Sequence, residues 1–292
     1  MKFVKFAGLA DKEEDAVRVE ITILVENTTP ALDLVGEYGF SVLVRVDGHP
    51  ILFDTGSRDA LIKNAPVLGV DLGAVEDVVI SHGHSDHTGG LRLLVENSTE
   101  RRFYAHPHAF SHRGVVLPKG KTRDISMPVS REEITASGGT IIATPAAREI
   151  ISGVLVTGEV PRQTGFEDTG GNFIYRHGEG WETDYILDDQ SLVIDHPAGL
   201  IVVSGCAHAG LINTLEHARE LTGRGNIHAF IGGTHLMTAG EERMTQTIHA
   251  LKEYNIDRLV VCHCTGFYPA AILYRELGGI VQKGESGFRM TI

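Results

Sequence analysis

The amino-acid sequence predicts an α/β fold, a four-layer αββα sandwich in which helices cover the outer faces of two facing β-sheets. Hairpins open each half of the chain, and strands that alternate with helices follow them. Each half therefore supplies one sheet and its helices, and apolar sheet faces of this kind pack against one another. The 292 residues, 42% of them hydrophobic, suffice for such a core, and we expect a single domain over residues 1–292.

The first half of the chain begins with strands. Alternating apolar and polar residues predict strands over Val19–Asn27, Phe40–Gly48 and His49–Gly56. The last two form a hairpin around Asp47-Gly48, because this dipeptide favours the tight turns that match strand twist. The elements that follow are a helix over 58–68, a buried strand over Val75–Ser81, a helix over His87–Asn97 and a strand over Arg101–Pro107.

The second half repeats this order after an irregular stretch. The residues from about His108 to Gly139 show no regular pattern, and we expect a lid or insertion over residues 108–138. Strands are predicted over Gly139–Pro145 and Val154–Val160, and a second hairpin over Asp188–Gly205. The remaining predicted elements are helices over Leu211–Leu221, Glu241–Tyr254 and Pro269–Leu277, and strands over Ile227–Gly233 and Asp257–Cys264.

The stretch Ser81–Gly90 places four potential metal ligands within six residues: His82, His84, Asp86 and His87. A buried strand ends at its start, and while the chain stays extended the first two histidines point the same way. A serine between them and the next helix can cap that helix, which turns Asp86 and His87 toward the same space. Imidazole and carboxylate together suit zinc, iron or manganese. The alternative interpretation is a histidine-rich loop with incidental surface histidines.

Charge and composition limit the partners and the compartment. The formal net charge of −12 disfavours binding to nucleic acid or to an anionic membrane, so we expect a small-molecule substrate. Three cysteines are too few for a disulfide framework and suit a reducing compartment. No apolar run reaches the roughly 18 residues of a membrane span, and the N-terminus lacks the pattern of a signal peptide. We expect a cytoplasmic protein and leave open whether it forms a homo-oligomer.

His82-x-His84-x-Asp86-His87 after a buried strand resembles the hallmark motif of the metallo-β-lactamase superfamily. The stretches Phe53–Gly56 and Gly199–Gly210, and those around His235 and His263, resemble its other motifs. A narrower resemblance covers nearly the whole chain and includes Gly158–Glu167 and Asp188–Ile194. It is to a subfamily of metal-dependent hydrolases, some archaeal members of which are called 7,8-dihydropterin-6-yl-methyl-4-(β-D-ribofuranosyl)aminobenzene 5′-phosphate synthase.

This resemblance implies which residues bind metal. His82 and His84 would bind one ion, and Asp86 and His87 would bind the other. His263 would be the terminal ligand. We expect one or two divalent transition metals, with zinc first and iron or manganese as alternatives.

One departure from the superfamily concerns the aspartate that commonly bridges the two metals. This sequence has Cys206 at that position, and His208, two residues on, is the expected substitute ligand. Cys206 is interpreted as a supporting neighbour of the ligands, with a small buried core residue and a direct metal ligand as the alternatives. Asp54 would orient a ligand from behind. His235 is a further candidate, either as a ligand or as a group that binds or polarises the substrate.

Two more expectations concern residues beside these motifs. On a strand that ends at Cys264, His263 faces away from Cys262 and Cys264, so only one of the two faces can meet the metal. The resemblance favours His263, and the two cysteines are then expected in the core or behind the ligands. Arg162 and Glu167, in a loop flanked by glycines, are predicted to contact substrate, because arginine binds phosphate or carboxylate through two hydrogen bonds. The alternative for this pair is an exposed ion pair.

The activity that the resemblance implies is that of a metal-dependent hydrolase. It would direct a metal-activated water at a small phosphorylated or ester-type substrate. Asp86 is the expected proton acceptor, and His235 is the second expected catalytic residue. The first alternative is a dihydropterin transferase that releases pyrophosphate. The second is a non-catalytic sensor that keeps the fold and binds a metal or ligand.

Overall fold

The computed structural model describes residues 17–96 and 100–292. The N-terminal segment, for which no signal peptide is expected, lies outside these residues, as does Asn97 at the predicted end of a helix. The strands, in chain order, are β1 (Val19–Val25), β2 (Ser41–Val46), β3 (His49–Phe53), β4 (Asp77–Val79), β5 (Arg102–Ala105), β6 (Arg113–Val116), β7 (Thr122–Asp124), β8 (Thr140–Ala143), β9 (Ala146–Ile151), β10 (Val154–Gly158), β11 (Phe173–His177), β12 (Gly180–Thr183), β13 (Ser191–His196), β14 (Gly199–Ser204), β15 (Ile227–Gly233), β16 (Arg258–Cys262), β17 (Val281–Lys283) and β18 (Arg289–Thr291).

The α-helices are fewer than the strands. They are α1 (Ala60–Val67), α2 (Ser85–Thr88), α3 (Leu91–Glu96), α4 (Arg131–Ala136), α5 (Leu211–Thr222), α6 (Glu241–Glu253) and α7 (Phe267–Leu277). The single helix predicted over His87–Asn97 is wrong, because the structure divides it into α2 and α3. At Gly89, between them, a Cβ atom would lie 1.8 Å from the carbonyl oxygen of Ser57, so the chain approaches a neighbouring loop too closely for any side chain.

Two seven-stranded sheets form the centre of the described chain. The first has the order β18-β1-β2-β3-β4-β5-β8, and the second has the order β17-β16-β15-β14-β13-β10-β9. Each sheet contains the hairpin that the sequence predicts, β2–β3 and β13–β14. Asp47 and Gly48, between β2 and β3, have φ values of 50° and 84°, as a turn with two left-handed residues requires. The predicted hairpins are therefore confirmed.

The core lies in three layers that correspond to the predicted sandwich. Apolar side chains from both sheets, such as Val44 and Phe53 from the first and Val156 and Val203 from the second, pack together between the sheets. On the outer face of the first sheet, residues of α1, α3 and α4 pack against strand residues. On the outer face of the second sheet, residues of α5, α6 and α7 do the same. The predicted α/β fold with an αββα order of layers is confirmed.

A third, four-stranded sheet of order β12-β11-β6-β7 was not predicted. It combines two distant stretches of chain, since Gly114 of β6 pairs with Ile174 of β11. The prediction of irregular structure from His108 to Gly139 is wrong for β6, β7 and α4. Helix α4 begins at a capping box, in which Ser130 accepts from the Glu133 amide and Glu133 accepts from the Ser130 amide. A lid over residues 108–138 stays a prediction.

Strands β9, β12, β17 and β18 are also absent from the sequence-based prediction. They lie at the ends of their sheets and are short or exposed, so an apolar pattern marks them weakly. Among the described helices, none combines the length and the apolar character that crossing a membrane would need.

Candidate metal centre

The candidate ligands lie on loops that follow five strands. Asp54 follows β3, the Ser81–Gly90 stretch follows β4, and further loops follow β14, β15 and β16. Strands β3 and β4 are parallel, as are β14, β15 and β16, so each group ends at one edge of its sheet. Side chains from the loops of both sheets meet at these two edges, between the sheets.

The first two histidines of the Ser81–Gly90 stretch are buried and close together. The Nε2 atom of His82 lies 3.0 Å from Nδ1 of His84. Nδ1 of His82 lies 2.9 Å from the Ser81 hydroxyl oxygen, which itself donates to the Asp54 carboxylate at 2.6 Å. With Nδ1 occupied as a donor, His82 turns the lone pair of Nε2 toward the site.

Asp86 and His87 reach the same space from α2. Asp86 Oδ2 lies 4.0 Å from His87 Nε2 and 3.3 Å from His263 Nε2. Nδ1 of His87 donates to Asp54 Oδ2 over 2.7 Å. The strand-to-helix turn therefore brings all four side chains of the motif together, and Asp54 lies behind them, where it orients His87.

Asp54, which orients His87, is held in an unusual backbone conformation. It is fully buried and has a φ of 59°, in the left-handed region that few side chains adopt. Its carboxylate accepts hydrogen bonds from the Ser81 amide, the Ser81 hydroxyl and the His87 ring. Local strain is thus offset by three hydrogen bonds to one carboxylate.

His208 and His235 come from the second half of the chain. Nδ1 of His208 donates to the Thr169 carbonyl at 2.8 Å, which leaves its Nε2 lone pair for the site. The His208 ring centroid lies 4.8 Å from that of His82 and 4.3 Å from that of His235. His235 itself has a φ of 48°.

His263 and Cys264 both face the site, contrary to the expected alternation. Strand β16 ends at Cys262, and His263 has a φ of 49° at the start of a 3-10 turn, so the strand period of two no longer applies. Nδ1 of His263 lies 2.9 Å from Asn27 Oδ1, and Cys264 joins His263 and Cys206 in one group of close ligand atoms. The expectation that Cys264 points away with Cys262 is wrong; Cys262 alone packs in the core between the sheets.

Cys206 lies between the two predicted sets of ligands. Its Sγ atom is 3.2 Å from His87 Nε2. It belongs to one group with His82 and His87, and to another with His208 and His235, in each of which the ligand atoms lie within 4.8 Å of one another. Its position is thus suited to ligation as well as to the supporting role predicted for it.

The donor set fits divalent metal ions. Two groups, His82 with His84 and His208, and Asp86 with His87 and His263, each bring three ligand atoms within 4.8 Å of one another. Four buried ring nitrogens that face this space have no hydrogen-bond partner in the described chain: Nε2 of His84, His208 and His263, and Nδ1 of His235. Buried polar atoms are rarely left without partners, and imidazole, carboxylate and thiolate are the ligands zinc prefers.

The surroundings keep three of the histidines neutral, as ligands must be. Burial and the neighbouring imidazoles lower the pKa of His82 well below its ordinary value, and burial with His235 nearby does the same for His208. Burial, reinforced by Arg113, lowers the pKa of His84 to about 3. At neutral pH these rings carry no proton that a metal would need to displace from Nε2.

The charge around Asp86 favours a cation. Burial alone would lower the pKa of His87, but Asp54 and Asp86 raise it to about 9. Burial alone would raise the pKa of Asp86, but His87 and His263 hold it below its ordinary value. A negative carboxylate is therefore maintained here, and it attracts either a protonated imidazole or a metal ion.

A cavity of about 900 Å³ opens onto the site, and the candidate ligands that line it are His84, Asp86, His208, His235 and His263. Two aromatic rings lie against the ligands: the Tyr38 centroid is 4.9 Å from that of His263, and the Phe173 centroid is 5.0 Å from that of His84. Arg58 and Arg123 also line this cavity, and within the described chain neither guanidinium has a hydrogen-bond or ion-pair partner. Sequence reasoning did not select these four residues, because none lies beside a ligand motif.

Arg162 and Glu167 do not line this cavity. Arg162 donates to the carbonyls of Tyr185 and His208. Glu167 is bound at the start of α5, where its two oxygens accept from the amides of Ile212 and Asn213, each at 2.9 Å. These contacts indicate that both residues hold loops in place, and their contact with substrate stays a prediction.

Comparison with known proteins agrees with this site. Residues 34–263 match the model of the metallo-beta-lactamase superfamily. The chain belongs to the metallo-β-lactamase superfamily. Within this superfamily the chain is 30% identical over 240 residues to 7,8-dihydropterin-6-methyl-4-(beta-D-ribofuranosyl)-aminobenzene-5'-phosphate synthase of Methanocaldococcus jannaschii. The match covers 79% of this chain and 82% of that relative.

Two solved structures are similar in fold. One is the crystal structure of Tm1679, described as a metal-dependent hydrolase of the β-lactamase superfamily, with a TM-score of 0.81 and 28% identity. It covers 93% of this chain and 98% of that one. The other is Zn²⁺-bound PqqB from Methylobacterium extorquens, with a TM-score of 0.56 and 16% identity. The match covers 93% of this chain and 99% of that chain, and at this identity it shows the fold alone.

Proposed function

We propose that the protein is a metal-dependent hydrolase that holds two divalent metal ions, zinc first, and acts on a small phosphorylated substrate. The main support is the set of buried ring nitrogens without hydrogen-bond partners at the base of the 900 Å³ cavity. Such a set suits metal ligation better than it suits a packed core, in which buried polar atoms are paired.

The residues that would hold the metals fall into two sets, His82, His84 and His208 for one ion, and Asp86, His87 and His263 for the other, with Cys206 between them. When bound, divalent metals supply a Lewis acid that activates water and polarises the substrate. Asp54 and Thr169 accept from Nδ1 of His87 and His208 from behind, so each ring directs its Nε2 atom toward the site.

His235 is suited to move a proton during the reaction. It lines the cavity, and its Nδ1 atom has no hydrogen-bond partner in the described chain. Burial lowers its pKa, but Cys264 beside it outweighs burial and raises the pKa above the ordinary value. Asp86 is charged at neutral pH and, with its lowered pKa, is a weaker base, so we assign it mainly to ligation and to orienting the attacking group.

A phosphorylated substrate is favoured by the two arginines of the cavity. Arg58 lies on the loop after β3 and Arg123 on β7, so they approach the cavity from different parts of the fold. Because neither has a partner in the described chain, both guanidinium groups are available to an anion. Phe173 and Tyr38 add aromatic surface for an apolar or ring-containing part of the substrate.

A dihydropterin transferase is the second candidate. It is favoured by the 30% identity to the Methanocaldococcus jannaschii synthase over about four-fifths of both chains. In that case an amine or aryl carbon would take the place of water, and a diphosphate group would leave as pyrophosphate. The same arginines would then contact the leaving group.

The test uses protein purified with its metal, apoprotein prepared with chelator, and apoprotein reloaded with Zn²⁺. Each is assayed on generic phosphomonoester, phosphodiester and lactone substrates, and on a dihydropterin diphosphate together with an aromatic amine. We expect hydrolysis that chelator abolishes and Zn²⁺ restores. Amine-dependent release of pyrophosphate, without hydrolysis, would instead identify the transferase. Tight metal binding with neither activity would favour a sensor and contradict the proposal.

A further inference from the structure

The tripeptide Asp188-Asp189-Gln190 contacts loops from both halves of the metal centre. It directly precedes β13, whose first residue, Ser191, pairs with Ser204 at the end of β14. Strand β14 leads into the loop of Cys206 and His208, so the tripeptide lies beside that loop. All three of its side chains are buried, although none belongs to the ligand groups.

Asp188 holds the backbone between the first two ligands. Its Oδ2 atom accepts a hydrogen bond from the Gly83 amide at 2.7 Å. Its Oδ1 atom accepts from Arg113 at 2.6 Å, and Arg113, on β6, is itself fully buried. Because Gly83 separates His82 from His84, this hydrogen bond holds the backbone from which both imidazoles extend.

The next two residues extend this contact across the site. Asp189 Oδ2 accepts from the Ala209 amide, next to His208, at 2.9 Å. The Gln190 amide donates to the Ser81 carbonyl at 3.0 Å, and its side chain donates to the Ile80 carbonyl at 2.7 Å. One tripeptide from the second sheet is thereby bonded to ligand loops of both sheets.

We propose that Asp188 and Asp189 are positioning residues that set the place of the His82–His84 pair relative to His208. This inference rests on the proposed metal-dependent function, since the relative placement of the three histidines matters for binding only if they hold one ion. Supporting contacts of this kind typically change metal affinity by about 10- to 100-fold when they are removed.

The two aspartates perform this role with different chemistry. Asp188 is paired with a buried guanidinium, so an amide at position 188 would remove the closer of the two carboxylates that Arg113 contacts and leave it only Asp184, at 3.1 Å. Asp189 has no ion pair, and its Oδ1 atom has no hydrogen-bond partner in the described chain. An asparagine at position 189 keeps the acceptor for the Ala209 amide, whereas an alanine removes it.

The experiment measures Zn²⁺ affinity by competition with a chromophoric chelator, and the absorption spectrum of the Co²⁺-loaded protein. We expect Asp188→Asn and Asp189→Ala to weaken Zn²⁺ binding by about 10- to 100-fold and to shift the Co²⁺ spectrum. Asp189→Asn should retain the affinity and spectrum of the wild type. Asp77→Asn is the matched control, because Asp77 is also buried and bonded to an arginine, Arg102, but lies at the far end of β4.

Three results would overturn the inference. One is a folded Asp188→Asn protein with the affinity and spectrum of the wild type. Another is equal affinity in Asp189→Ala and Asp189→Asn, which decides the matter if Asp188→Asn does not fold. The third is a loss of affinity in Asp77→Asn as large as that in Asp188→Asn, which would indicate general destabilisation. A wild-type protein that binds no Zn²⁺ would overturn the proposed metal-dependent function itself.

Discussion

The two halves of the metal centre are built in different ways. In the first half, one turn between β4 and α2 carries four candidate ligands within six residues. In the second half, the candidates come from three separate loops, after β14, β15 and β16. Each of these loops contains a non-glycine residue with positive φ: Ala207 at 52°, His235 at 48° and His263 at 49°.

The geometry of the candidate ligands is therefore set locally in the first half and by tertiary contacts in the second half. The first turn is defined by a strand end, a helix start and the Asp54 carboxylate. The second-half loops reach the site only through left-handed backbone conformations that the surrounding fold must hold in place. The first half therefore supplies a compact set of candidate ligands, and the second half adds candidates from three loops that are distant in sequence.

The largest effect, on bound metal and turnover, is expected when one candidate ligand from either half is replaced. His84→Ala and His208→Ala should each lower bound metal from about two equivalents to about one, because both belong to the same group. Turnover should fall by more than the roughly 100-fold that loss of a supporting contact costs. Metal analysis and steady-state kinetics measure this. Full metal retention in His208→Ala alone would show that the second half does not complete this set.

A smaller effect is expected behind the first turn. Asp54→Asn removes the negative partner of the His87 ring and should weaken Zn²⁺ binding by about 10- to 100-fold. Chelator competition measures the change, with Asp77→Asn as a buried aspartate control away from the site. An unchanged affinity would mean that the turn alone orients His87.

The cysteine thiols of the second half are expected to differ in their contribution to metal binding. Cys206→Ala should weaken metal binding by about tenfold and remove thiolate-to-Co²⁺ charge transfer, since its sulfur lies within 4.8 Å of ligand atoms from both groups. Cys262→Ala is the control, because Cys262 packs between the sheets. Charge transfer that persists in Cys206→Ala but disappears in Cys264→Ala would assign the thiolate ligand to Cys264 instead.

The cavity arginines should affect substrate binding more than turnover. Arg58→Ala and Arg123→Ala should each raise KM for a phosphorylated substrate by roughly fivefold with little change in kcat, as expected for an exposed charge contact of about 1 kcal/mol. Arg148→Ala, an exposed arginine outside the cavity lining, is the control. Equal effects of all three substitutions would argue against an anion contact at the cavity.

The smallest effect on the site is expected at Asp77, where the change should concern stability alone. Burial opposes ionisation of Asp77, but hydrogen bonds from Arg102 and His49 outweigh it and lower the pKa below 3.8. Its stabilising contribution, about 2 kcal/mol, is therefore present above pH 3.8 and is lost as the pH falls through the folded-state pKa. Urea unfolding should show Asp77→Asn less stable than wild type at pH 7, with the difference shrinking below pH 3.8. A difference that stays constant with pH would contradict this.

Local patterns explain why much of the fold could be predicted. Asp47-Gly48 specifies its hairpin by turn chemistry, and the strand over Ile227–Gly233 has the predicted bounds because its apolar run ends at glycines. The motif from His82 to His87 is equally local, so its convergence follows from strand and helix periods.

Other features depend on contacts that no local pattern encodes. Cys264 reaches the site because the chain leaves the strand conformation at His263, one residue before the predicted end. The pairing of β6 with β11 joins residues far apart in sequence, and it is this pairing that brings Phe173 beside His84. Arg58 and Arg123 share one cavity only once the whole fold has formed.

The four-stranded sheet has a consequence for how such an enzyme changes over evolution. It contributes Val115, Arg123 and Phe173 to the cavity wall, while the metal ligands come from loops of the two large sheets. Substitutions in two short surface segments can therefore reshape what the cavity accepts without altering the ligands. Relatives that act on different substrates can therefore keep the same reactive centre. The residues that determine substrate specificity and those that activate the substrate lie on separate parts of the chain.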